Sequence, residues 1–88
     1  MRYKMKKDIV IFNITEDEFV LFNSETDELV VINKTGKQIW DLLQEAMEID
    51  QICKKLSDDY KYINNQELCK DINSFLEDLL KKDLIIGV

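Results

Sequence analysis

The side chains able to do chemistry are few in kind: the 88-residue chain has 18 Asp and Glu, two Cys and no His. Without an imidazole, Ser–His and Cys–His nucleophiles and His-ligated metals are excluded by composition. The carboxylates gather at Glu16-Asp17-Glu18, at Glu25, Asp27 and Glu28, and at Asp58-Asp59. Paired carboxylates can serve as acid and base, but crowding in turns and at a helix end marks solvated surface instead. Cys53 and Cys69 fall inside helical patterns with no third or fourth ligand nearby, so they are expected as small buried hydrophobes rather than a disulfide or zinc site. Gly36 and Gly87 are the only glycines, too few for a phosphate loop or a dinucleotide fingerprint. The chain is therefore expected to be no enzyme and to carry no cofactor or metal.

Charge narrows the partners. A net charge of −6 and a sequence pI near 4.6 oppose a grip on phosphate backbones, which needs a basic face, so no nucleic acid is expected. The opening MRYKMKK is the one basic cluster. No apolar signal region follows it, because Asp8 and Asn13 interrupt the run and Glu16, Asp17 and Glu18 close it. The expectation is a reduced, cytoplasmic protein with no membrane partner. Length allows one domain, residues 1–88, with residues 1–7 read as a flexible basic arm.

Three apolar segments come first: Asp8–Ile14, then 18–22, then 29–32. They are rich in β-branched and aromatic residues and apolar on both faces, so the sheet they form must be covered on one side and contacted on the other. Thr15-Glu16-Asp17 and Asn23 to Asp27 supply turn chemistry between them. The simplest sheet is a three-stranded antiparallel β-meander. A helix follows from about Gly36 to Glu45, capped by Thr35 with Gln38 reaching back. Ile49, Ile52, Cys53, Leu56 and Tyr60 stripe a second helix. After a loop over 61–65, Asn64 and Glu67 make a second capping signature for a third helix that ends near Lys82. Leu84-Ile85-Ile86 is a short strand or an apolar plug. Three strands before three helices predict an α+β domain resembling a winged helix-turn-helix with its wing first. Trp40, between Ile39 and Leu43, belongs to the core.

The segment 29–32 carries no charge, Pro or Gly to blunt a sheet edge. Either the third helix covers that edge and completes the core, or the edge accepts an added peptide strand. The residues alone leave both open.

From Leu29 to Leu43 the chain reads LVVINKTGKQIWDLL: an apolar strand, Asn, a spacer, Thr-Gly, then Ile-Trp with leucines. This pattern resembles the PqqD-like family. Phe19-Val20-Leu21-Phe22-Asn23 is similar to that family's preceding strand, Ile49–Tyr60 to its second helix, and Asp71 to Leu79 to its closing Asp-apolar-x-x-Phe-Leu-x-x-Leu helix. Nearly the whole chain is covered. The resemblance implies a precursor-peptide recognition element for ribosomally made, modified (RiPP) peptides. It implies that the precursor's leader peptide pairs as an extra strand on Glu28, Leu29, Val30, Val31, Ile32 and Asn33, in a groove walled by Leu68, Asp71, Ile72, Phe75, Asp78 and Leu79 of the third helix. It also implies delivery of the leader to a separate modifying enzyme, such as a radical SAM enzyme or a leader peptidase and cyclase. The chain has no CxxxCxxC cluster motif of its own, which suits a free-standing adaptor. On a helical wheel Phe75 sits with Asp71 and Asp78 at one margin of the apolar stripe, where a groove wall would lie.

Two other readings share this architecture. A winged-helix DNA-binding or regulatory domain needs a basic recognition helix, whereas the third helix sets Glu67, Asp71, Glu77 and Asp78 against Lys70, Lys81 and Lys82. A structural subunit of a larger enzyme, with no peptide ligand, fits the composition equally well.

Overall fold

A computed structural model of the chain describes residues 2–59 and 65–88. Its elements in order are β1 (Arg2–Met5), β2 (Ile9–Asn13), β3 (Glu18–Asn23), β4 (Glu28–Asn33), α1 (Lys34–Leu42), β5 (Met47–Glu48), α2 (Ile49–Asp59), α3 (Asn65–Lys81) and β6 (Ile85–Gly87). The meander is β2-β3-β4, antiparallel throughout, and three helices follow it. The α+β, wing-first architecture expected from the sequence is the one observed.

A second sheet, β5-β1-β6, was not expected. Residues 2–5, read above as a flexible arm, are its central strand. Tyr3 pairs with Met47 on one side and Gly87 on the other, and Arg2 and Val88 exchange backbone hydrogen bonds of 3.2 and 2.8 Å. The cause is period-two alternation: Tyr3 and Met5 turn inward onto the core while Arg2 and Lys4 stay exposed. The tail at 84–86, left open between strand and plug, contributes β6. Deleting residues 1–6 should therefore destabilise the fold by about 2–4 kcal/mol, the transfer value of two partly buried side chains plus lost ladder bonds. Thermal unfolding of the truncated chain measures this. A frayed arm would leave the midpoint unchanged.

The core joins one face of the meander to all three helices, through residues such as Leu21, Ile32, Trp40, Leu56, Ile72 and Leu76. Trp40 is buried, as its place on the apolar stripe of α1 requires. The α1 cap differs from expectation. Asn33, not Thr35, is the N-cap: its backbone is still extended, and its side-chain Oδ1 accepts from the Gly36 amide at 2.9 Å. Thr35 falls two residues too late for that role, within the first turn. The helix also ends at Leu42, three residues earlier than Glu45. The second capping signature lies on Asn64, which, like Tyr60 and the loop over 61–64, is outside the described residues.

At its far end α3 stops in a Schellman arrangement. Asp83 adopts a left-handed φ of 58°, its amide donates to the Leu80 carbonyl at 3.2 Å, and the Leu84 amide donates to Leu79 at 3.0 Å. Asn23, buried at the end of β3, donates from Nδ2 to the Asp83 carbonyl at 2.8 Å, while its Oδ1 accepts from the Glu25 amide at 2.9 Å. One side chain thus closes the β3–β4 turn and pins the end of α3 to the sheet.

Candidate functional site

Which backbone groups of β4 are free follows from the register. The Ile14 amide donates to the Glu18 carbonyl at 2.9 Å, in continuation of the β2–β3 pairing. In an antiparallel ladder, hydrogen-bonded and non-hydrogen-bonded pairs alternate. Glu18, Val20 and Phe22 therefore bond toward β2, and Phe19, Leu21 and Asn23 bond toward β4. Their partners Ile32, Val30 and Glu28 are spent on β3. Leu29, Val31 and Asn33 point their N–H and C=O groups the other way, to an edge that pairs with no strand among the described residues. The side chains alternate in step: Val30 and Ile32 face the core, while Leu29 and Val31 are 54% and 53% exposed on the outer face.

A groove of about 370 Å³ opens beside the end of this edge. Asn33, Thr35, Gly36 and Ile39 form one wall, and Glu67, Leu68, Asp71, Ile72 and Phe75 of α3 the other. Leu68 and Ile72 are buried, making an apolar floor, and Phe75 is half-buried at the margin. A Cβ built on Gly36 would lie 3.0 Å from the Cβ of Ile32 and 3.2 Å from Cζ of Phe75, so a side chain there would press on both and glycine lets α1 start close to the Phe75 ring. Glu67 and Asp71, one helical turn apart, give the groove two exposed carboxylates and no cation.

Of the twelve residues singled out from sequence, the groove brings together Asn33, Leu68, Asp71, Ile72 and Phe75. Glu28, Leu29, Val30, Val31 and Ile32 run along the strand leading to it. Leu79 is fully buried in the core, and Asp78 is exposed beyond the groove lining. Sequence reasoning missed Thr35, Gly36, Ile39 and Glu67. In sequence the Thr-Gly pair marks only a helix start, and nothing local says that this helix start faces α3.

Among the described residues, no group of three or more Asp, Glu, Cys or His could hold a metal, and no helix is long and apolar enough to cross a membrane. Cys53 is buried, and that burial, reinforced by Cys69 and by the Asp50 charge, pushes its thiol up to about 12, so it stays protonated at neutral pH. The described face of α3 sets Glu67, Asp71, Glu77 and Asp78 against Lys70 and Lys81, which repels a phosphate backbone.

The chain is similar in structure to TbiB1, solved in complex with the TbiA(beta) leader peptide: 27% identity, TM-score 0.80, 97% of this chain and 96% of that one covered. Lasso peptide synthetase B1, complexed with the leader peptide, shares the fold at 16% identity and TM-score 0.78, covering 99% of this chain and 100% of that chain. No curated protein matches the sequence. The sequence profile of coenzyme PQQ synthesis protein D (PqqD) matches residues 18–85, a span from β3 to β6 that holds the whole edge and groove, and the chain belongs to the PqqD family.

Proposed function

We propose that this protein captures the leader of a ribosomally synthesised precursor peptide as an added strand on β4 and presents it to a separate modifying enzyme. The observation that carries the reading is the free edge at Leu29, Val31 and Asn33 running into a groove whose floor is apolar. An extended peptide paired there takes affinity from main-chain hydrogen bonds and specificity from pockets for alternate side chains. Glu28 to Asn33 supply the pairing strand, Leu68 and Ile72 the floor, and Phe75 the wall. Asp71 and Glu67 border the groove, with Asp78 and Leu79 further along the helix. The leader that fits carries apolar anchors and a Lys or Arg beside them. The protein itself makes and breaks no bonds; a radical SAM enzyme, or a leader peptidase and cyclase, acts on the peptide it delivers.

Titration with a synthetic leader from a precursor reading frame beside the gene tests this. Dissociation constants of about micromolar or tighter are expected, within reach of strand pairing plus a few apolar pockets. Amide shifts should centre on 28–33 and α3. Shifts centred on α2 would assign the peptide to another surface.

A further inference from the structure

The meander has a second free edge, and nothing in the peptide site uses it. β2 pairs with β3 alone among the described residues, and by the alternation worked out above Ile9, Ile11 and Asn13 turn their N–H and C=O groups away from β3. From Ile9 to Ile14 the strand has no charge, Pro or Gly. Both faces are apolar and open: Val10, Phe12 and Ile14 are 42%, 55% and 55% exposed on the outer face, and Ile11 is 36% exposed on the other. Edges of this kind are ordinarily blunted by charge, bulge or cover.

The ends of the strand carry opposite signs. Lys6 and Lys7 precede it, offset in part by Asp8, and Glu16 and Asp17 follow it. Asp17 already lies 3.8 Å from Lys34 of its own chain, which leaves Glu16 as the freer carboxylate. A second copy running antiparallel along β2 sets the basic end of each strand beside the acidic end of the other, whereas a parallel copy sets like against like. Antiparallel pairing of β2 with the β4 edge of another copy is disfavoured for the same reason, since it brings Glu16 and Asp17 onto Asp27 and Glu28.

We propose that two copies of the chain associate through β2, antiparallel about a two-fold axis at Ile11, joining two meanders into one six-stranded sheet. Ile11 then pairs with Ile11 of the second copy and Ile9 with Asn13, while Lys6 and Lys7 of each copy reach Glu16 of the other. An isologous contact of this kind uses up the edge, so assembly closes at two copies. The β4 edges stay at the two outer margins, both free.

Sedimentation velocity over about 1 μM to 1 mM should show a monomer–dimer equilibrium, the range expected of a small edge contact. Amide hydrogen exchange at Ile9, Ile11 and Asn13 should slow as concentration rises. Lys7→Glu and Glu16→Lys should each raise the dimerisation midpoint about tenfold or more, and the two together should restore it, because the double variant rebuilds the attraction with signs exchanged. The amide spectrum of each variant shows that it is folded. A parent chain that stays monomeric to 1 mM overturns the proposal. So does association that protects Leu29 and Val31 instead, or a double variant no better than its singles.

Discussion

Val31→Pro should abolish peptide capture in a chain that still folds. The Val31 amide faces the open edge, so proline removes a donor from the site without removing one from the β3–β4 ladder. The ring also stands where the added strand must approach. Loss of one central hydrogen bond together with that obstruction should weaken binding on the order of 100-fold. Val30→Pro is the matched control, because Val30 spends its amide on Leu21 and the substitution should disrupt the sheet itself. Val31→Thr, which changes only a half-exposed side chain, should cost less than about fivefold. A folded Val31→Pro chain that binds the leader like the parent would show that the β4 edge is not the docking strand.

The second large effect is kinetic and divides the groove into anchor and rim. Phe75 stands against Gly36 with its ring at the groove wall. Phe75→Ala removes a partly desolvated aromatic anchor, and such losses appear mainly in the dissociation rate, here by about 10- to 100-fold. Glu67→Gln with Asp71→Asn should do the reverse. With a leader bearing Lys or Arg, association slows several-fold at low salt, and the difference fades as salt screens it. Stopped-flow binding at two ionic strengths separates these outcomes. An unchanged association rate at low salt would make both carboxylates ordinary surface, and an unchanged dissociation rate for Phe75→Ala would remove the anchor.

What could be read from the sequence was whatever is written locally. The β-branched runs at 9–14, 18–22 and 29–32, each closed by turn residues, specify the meander, and the stripes from Ile39, Ile49 and Leu68 specify the helices. The unblunted character of strand 29–32 was equally plain. What escaped depends on partners distant in sequence. Tyr3 and Met5 alternate with Arg2, Lys4 and Lys6, a weak strand signal that the basic charges obscure, and the strand's partners are 47–48 and 85–87. The Asn33 cap was missed because Asn ends a strand as readily as it opens a helix, and Thr35 offered a rival with the right spacing. Ile39 and Gly36 belong to the groove only because α3 packs across the start of α1.

The tie between the first and last strands also bears on how the chain acquires its fold. β1 pairs with β6 some 80 positions later in sequence, and its other neighbour among the described residues is the two-residue β5. During synthesis at about 5–20 residues per second, β1 waits several seconds for β6, while the meander and α1 can already form from contacts close in sequence. The β5-β1-β6 sheet is thus a late clasp rather than a nucleus. Substitutions at Tyr3 or Ile85 should chiefly quicken unfolding, whereas those at Leu21 or Ile32 should also slow folding.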